Sequence, residues 1–274
     1  MDEMTHHGLP TDSTVLILLF IVFPICLLCL YTFLACRRRR LSGWSGWRMA
    51  SFSLGIMLIV IAVLPPIASW AHHDLRGHML QHLLLGMFGP LGLVFGAPGT
   101  LLVRSLPGSV ARRFMDLMRL PPVRLLTHPI TAAFLDIGGM YLLYLTPLFG
   151  LCMSHPVLFV LVHIHFVLSG YLFTWSIAGP DPAPHRPSRE LRLVVVFLAT
   201  AAHAVLGKLM YGYEYPHGMS ASLIEVQLAA QWMYYGGDIA ELLLITGLFA
   251  SWFRHRSALP EFMAIRNDRA RDNE

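Results

Sequence analysis

Charge is scarce in this chain of 274 residues, and lysine is nearly absent. Asp, Glu, Lys and Arg make up 13% of the residues, Lys208 is the single lysine, and hydrophobic residues reach 55%. No segment between the apolar stretches exceeds about 25 residues, which leaves no room for a soluble catalytic domain. The composition therefore predicts a membrane protein that is not an enzyme.

Cysteine is also scarce, and its placement excludes two kinds of site. The four cysteines include no CxxCH motif, which excludes covalent haem attachment. Cys26 and Cys29 form a CxxC within an apolar stretch, where packing on one helix face is favoured and a soft Cu(I) site is the alternative. Cys36 and Cys152 are predicted on opposite sides of the membrane, so they cannot pair within one molecule.

Long apolar runs dominate the rest of the sequence. They are about 20 residues long, the length with which an α-helix crosses the hydrocarbon core, and no alternating β-barrel pattern is present. We therefore predict an all-α bundle in which residues 13–253 form one seven-helix membrane domain between tails 1–12 and 254–274. The predicted spans are Ser13 to Ala35, Met49 to Trp70, His78 to Val103, Ile130 to Gly150, Val157 to Ala178, Leu191 to Tyr211 and Leu228 to Phe253.

The basic residues predict the orientation of this bundle. All but Arg76 and Lys208 fall on one side, and short cytoplasmic loops carry such an excess. The amino terminus is therefore expected outside and the carboxyl terminus in the cytoplasm of a bacterial inner membrane. Acidic residues precede the first span and the basic cluster follows it, so this span is expected to remain as an anchor. The same topology explains the pI near 9.0 without a nucleic-acid partner.

Histidine is the conspicuous polar residue. His128, His185 and His255 fall on the predicted cytoplasmic side, and the other eleven fall outside or in the outer half of a span. Asp74, His78 and His82 repeat every four residues, which predicts one helical face offering two imidazoles to one metal.

Four spans bring polar side chains to one depth. With a rise of about 1.5 Å per residue, His82, His163, His203 and Asp238 all lie roughly 10 Å below the outer surface. His163 and His165 point about 200° apart on their helix, so one of them is expected to face a neighbouring helix instead. A single buried histidine often serves only a helix contact, but convergence of several favours a metal or cofactor site.

The ligand types favour copper. Imidazoles with nearby thioethers and a carboxylate suit copper, while zinc is equally compatible by ligand type. A haem b held between facing histidines is the alternative, and a transporter in which Asp136, Asp238 and Glu241 form a relay is a further one. The scarcity of polar groups in the predicted inner half argues against the transporter.

Three strings resemble the CtaG-type cytochrome c oxidase assembly factors over nearly the whole membrane region. They are HMLQHLLLGMFGPLGLVFGAPGTLL, HPVLFVLVHIHFVLSGYLFTW followed by GPDPAP, and YYGGDIAELLLITGLFASWF. By this resemblance, His78 and His82 match the first motif, Asp238 matches the acidic position of the last, and the second motif contributes His155, His163 and His165. In the family pattern glycines tend to follow the acid, whereas here Gly236 and Gly237 precede it.

The resemblance implies a factor that acts on the copper centres of a haem-copper oxidase. We expect copper to bind His78, His82, His163, His203 and Asp238. Further residues are expected to capture copper outside or to support these ligands: His72, His73, Asp74, Met79, His155, His165, His217, Met219 and Glu241. The expected partners are an oxidase subunit or another copper chaperone, with the lipid bilayer around the bundle. The sequence leaves open whether a homodimer forms.

Overall fold

The computed structural model describes residues 11–217 and 221–271, and these residues form helices joined by short turns. No strand occurs in this part of the chain. The helices are α1 Thr11–Ser42, α2 Gly46–Val63, α3 Pro65–His73, α4 Leu75–His82, α5 Gly89–Phe95, α6 Pro98–Ser105, α7 Gly108–Leu117, α8 Pro121–Leu126, α9 Pro129–Leu145, α10 Leu148–Ser154, α11 Pro156–Ala178, α12 Arg189–Tyr213 and α13 Leu223–Arg271. A π-helical turn, Leu83–Phe88, joins α4 to α5.

The prediction of an all-α, multi-pass membrane protein is confirmed. Six helices of the described chain are long and apolar enough to cross a membrane, and α9 with α10 makes a seventh candidate if the bent pair counts as one span. Large apolar side chains such as Phe134 and Phe197 face outward, as expected where lipid replaces water.

Three predicted spans are less regular than the sequence suggested. The second ends at Val63, because Pro65 and Pro66 begin a separate short helix, α3. The fourth is broken after Leu145, and α10 continues at an angle of 82°. The third runs from Leu75 to Ser105 through the π-turn. Apolar length predicts where a span lies, but not where its helix breaks.

The third span is the centre of the bundle. α4 packs on α13, and the π-turn and α5 pack on α2 and α11. The closest approach joins Gly86 in the π-turn to Gly170 on α11, because a side chain at Gly170 would overlap the carbonyl group of Gly86. Backbone contact of this kind brings the histidines of α4 and α11 into one layer.

The GPDPAP string closes the end of the bundle remote from α3. The Asp181 carboxylate accepts hydrogen bonds from the backbone N–H groups of Gly99 and Thr100, at 3.1 and 2.6 Å, and from the Thr100 hydroxyl at 2.7 Å. These donors belong to the first turn of α6, whose N–H groups have no partner within the helix. This motif therefore ties the turn after α11 to the end of the third span.

Candidate metal centre

α4 carries two of the predicted ligands into the protein interior. The exposed fractions of His78 and His82 are only 2% and 4%. Asp74 lies outside this helical face, because its backbone is extended and its carboxylate caps α4 by accepting from Arg76 N at 2.8 Å. The expected one-face series from Asp74 to His82 is therefore wrong at its first member. The two histidines remain one turn apart on α4.

Both ring nitrogens of His163 on α11 have a close neighbour, one within α11 and one on α4. Its Nδ1 lies 2.6 Å from the carbonyl oxygen of Phe159, and its Nε2 lies 3.1 Å from Oε1 of Gln81. The Gln81 amide nitrogen donates in turn to the carbonyl oxygen of Ala62 at 2.8 Å. Gln81 is buried, and sequence reasoning missed it although it lies between His78 and His82 in the string HMLQH. A glutamine between two helical histidines was the available signal.

His165 faces away from this centre. Its Nε2 donates to the carbonyl oxygen of Leu135 at 3.0 Å, and its ring covers Gly139 on α9. The structure thus places His163 among the buried histidines and His165 in a contact between two helices. The alternation expected from helix geometry accounts for this division.

His203 lies in the same layer beside a carboxylate, which belongs to Glu241 and not to the predicted Asp238. Nδ1 of His203 lies 3.6 Å from Oε1 of Glu241, and His203 is completely buried. Asp238 is only half-buried, so the structure places Glu241 where the sequence favoured Asp238. Gly237 permits this arrangement, because a side chain there would overlap the His203 ring.

A buried pocket links Glu241 to a second acid. A cavity of about 20 Å³ is lined by Asp136 on α9 and Glu241 on α13, which is room for one water molecule. Asp136 accepts a hydrogen bond from the Ser169 hydroxyl at 3.1 Å. The Thr200 hydroxyl lies near the Glu241 carboxyl but does not complete a hydrogen bond with it. The polar layer therefore extends from the histidines to two carboxyl groups.

Several of these buried polar atoms lack a hydrogen-bond partner. Such atoms are costly in a protein interior and call for an explanation. They include Nδ1 of His78, both ring nitrogens of His82 and His203, the hydroxyl of Tyr144 and Oε2 of Glu241. Their chemistry is that of metal ligands and of groups that support them.

The spacing of the rings fits an ion between two of them. The ring centroids of His78 and His163 are 6.1 Å apart. Two metal–nitrogen bonds of about 2 Å each, together with the ring radii, span a similar distance. Nevertheless, no group of three or more His, Cys, Asp or Glu side chains in the described chain is arranged to hold a metal ion. A site with three ligands therefore requires side-chain rotation.

Aromatic side chains cover the buried imidazoles. Phe149 lies edge-on to His78, and Phe166 to His82, each with centroids 5.0 Å apart. Tyr144 contacts both histidines at 6.0 and 5.9 Å. The two imidazoles of α4 are therefore enclosed by aromatic rings.

The remaining predicted residues lie near the α3 end of the bundle. His72 is an exposed residue whose ring stacks on Phe159 with centroids 4.6 Å apart. Partial desolvation of the ring and, secondarily, His73 lower its pKa, which favours the neutral, metal-binding ring. His73, His155 and His217 are exposed. Met79 is fully buried among apolar side chains and is not accessible for capture. Met219 lies outside the described residues.

This helical bundle, with buried histidines on three of its spans, belongs to the cytochrome c oxidase caa3 assembly factors, the Caa3_CtaG family. The match covers residues 29–255, which confirms the resemblance noted from the motifs.

Relatives of unassigned function share the same region. Uncharacterized proteins of Mycobacterium leprae and Mycobacterium bovis are each 29% identical over 260 residues, which cover 86% and 88% of this chain. The chain spans 38% of the length of these relatives. No solved structure matches it.

Proposed function

We propose that this protein binds a copper ion within the membrane and passes it to a haem-copper oxidase during assembly of that enzyme. The observation that supports this most directly is the set of partnerless imidazole nitrogens on His78, His82 and His203, buried beside His163. Imidazole is a preferred ligand of copper, and a buried set protects the ion from exchange with solvent. Membership of the oxidase assembly family agrees with this role.

In this proposal some ligands already lie close enough to share an ion, and others must first rotate. His78 and His163 already lie at a distance suited to one ion, and His82 completes the set after rotation of its ring. His203 and Glu241 offer a second imidazole–carboxylate pair, in which the carboxylate orients the ring or binds the ion directly. His72 at the α3 end is suited to capture, because it is exposed and neutral.

The recipient is an oxidase subunit or another copper chaperone, and the role is not catalytic. Copper is the cargo, so the site must load and unload. The proposed location is the bacterial cytoplasmic membrane, in which the oxidase is assembled.

Copper analysis of the purified protein tests the proposal. We expect near-stoichiometric copper, without the intense Soret band of haem. His82→Ala and His163→Ala should each lose most of the copper and of the oxidase maturation, because a site missing one ligand is already disabled. His78→Ala combined with His82→Ala should be little worse than either alone.

His165→Ala is the matched control. It removes an imidazole from the same helix as His163, but one that contacts the Leu135 carbonyl on α9. Copper content should stay near the wild-type value in this variant while the protein accumulates normally. Equal copper loss in His163→Ala and His165→Ala would refute the proposed ligand set, and a Soret band lost in His82→Ala would support haem.

A further inference from the structure

A cleft leads from the α3 end of the bundle to the buried histidines. Its volume is about 400 Å³, and its walls come from the ends of α2 and α3 on one side and from α10 and α11 on the other. Its mainly apolar lining includes the polar side chains of Ser69, His72, Ser154, Gln81 and His163 and the sulfur atoms of Cys152 and Met153. Two of these, Gln81 and His163, are in contact with each other.

The contact between Gln81 and His163 is not a hydrogen bond when the imidazole is neutral, because neither of the two facing atoms carries a hydrogen. The Phe159 carbonyl can only accept, so Nδ1 of His163 must donate to it, and a neutral ring then carries no hydrogen on Nε2. Nε2 therefore faces Oε1 of Gln81 with a lone pair on each side, 3.1 Å apart.

Reversing the Gln81 amide does not remove this conflict. The amide nitrogen would then donate to His163, but Oε1 would face the carbonyl oxygen of Ala62, which is another acceptor. With a neutral imidazole, either orientation of the amide leaves one pair of acceptors facing each other without a hydrogen. A cation relieves this conflict, either a second proton on the ring or a metal ion bound by both acceptors.

We propose that Oε1 of Gln81 and Nε2 of His163 form the first buried binding position for a copper ion arriving through the cleft from His72. Donor atoms 3.1 Å apart can both reach one ion at about 2.1 Å. His78 is the next imidazole inward, with its centroid 6.1 Å from that of His163. Gln81 thereby controls admission to the histidines. This inference rests on the proposed function and adds a route and a ligand to it.

Gln81→Met and Gln81→Leu provide the decisive comparison. Both side chains resemble glutamine in size, and both lose the hydrogen bond to Ala62 and the contact of Oε1 with His163, so a purely structural role predicts the same outcome. Only methionine offers a copper ligand. We expect Gln81→Leu to slow copper loading about tenfold or more, the scale of losing a group that supports a metal, and Gln81→Met to restore most of the rate. The rate is measured by transfer from a Cu(I) chelator to purified protein.

The cleft itself is tested by filling it. Ser69 is exposed on the cleft wall, so Ser69→Trp should slow loading while leaving the copper content at equilibrium unchanged. The control is Leu54→Trp, which fills a separate cleft of about 480 Å³ near Arg48 and Phe95. Loading at the wild-type rate in this control is expected.

The outcomes separate this inference from the proposed function. Wild-type protein that holds no copper at equilibrium overturns the proposed function, and the admission site with it. Normal copper content together with equal loading rates in Gln81→Met and Gln81→Leu overturns the admission site alone. Unchanged loading in Ser69→Trp overturns the route through this cleft.

Discussion

At the scale of single residues, the direction of each ring nitrogen decides what a histidine can do. His165 donates to a backbone carbonyl across a helix contact, whereas both nitrogens of His82 lack partners. Burial alone does not separate His163, whose ring nitrogens both have a close neighbour, from His82, which is similarly enclosed. A histidine near the middle of a span is therefore assigned by its contacts rather than by its depth.

The acidic residues give a prediction at the same scale. Glu241→Gln preserves size but removes the charge beside His203, so it should weaken copper retention by about 10 to 100-fold, as loss of a supporting group commonly does. Asp238→Asn should have a smaller effect, because Asp238 is half-exposed one turn away. Copper affinity of both purified variants is measured by chelator competition. A larger loss in Asp238→Asn would restore the assignment made from the sequence.

The sequence could predict the histidine layer because depth follows from counting residues along a span. It could not choose between Asp238 and Glu241, because residues three apart lie only about 60° from each other on α13, and only the packing of α12 decides which faces His203. Gln81 was missed for a related reason. An uncharged amide carries no signal of its own until its contacts are known.

At the scale of helices, α4 is fixed at its start by an ion pair and a cap. Asp74 accepts from Arg76 through backbone and side chain, with a shortest distance of 2.5 Å. Glu225 at the start of α13 accepts from the backbone N–H of Leu75 at 3.0 Å. These contacts fix the position of α4, and so of His78 and His82, along the axis of α13.

The pH dependence of this cap can be predicted. The side-chain hydrogen bonds from Arg76 lower the pKa of Asp74 from 3.8 to about 2. A carboxyl whose pKa is lower in the folded state stabilises the fold above its ordinary pKa, and this stabilisation is lost as the pH falls. The Tm of wild-type protein should therefore exceed that of Asp74→Asn above pH 3.8, and the difference should shrink towards pH 2.

Asp116→Asn is the control for this measurement. Asp116 pairs with Arg119 at 3.2 Å, but both side chains are largely exposed, and exposed pairs contribute little. Its Tm should follow the wild-type value at each pH. A difference between wild type and Asp74→Asn that stays constant down to pH 2 would show that the charge of Asp74 is not what matters.

The helix breaks show what apolar length cannot predict. The break at Pro65 has a local cause that is visible in the sequence, because proline lacks an N–H group and is favoured in the first turn of a helix. The π-turn at Leu83–Phe88 has a less direct marker, Pro90, whose missing N–H leaves the Gly86 carbonyl without its α-helical partner. Gly170 on α11, which is remote in sequence, approaches that carbonyl closely.

At the scale of the whole molecule, the orientation in the membrane remains a prediction. The basic residues place the amino terminus outside and the carboxyl terminus in the cytoplasm. A reporter fused at Gly8 should therefore report the exterior, and one fused after Glu274 the cytoplasm. The structure contains six candidate spans, or seven with the bent pair. Both reporters in one compartment would favour the even count and would refute the predicted topology.

The π-turn also affects which sequence changes the protein can accept. A π-turn contains about one residue more than an α-helical turn, and its wider winding absorbs that residue, which in α geometry would rotate the following helix by about 100°. The turn lies between His82 and Gly89, so it sets the rotational phase between the histidines of α4 and the face of α5 that packs on α2. A return to α geometry with the same number of residues would rotate one face away from its contacts, whereas losing one residue at the same time would keep both faces in place. A substitution that removes the π-turn is therefore more disruptive in this segment than the deletion of a single residue.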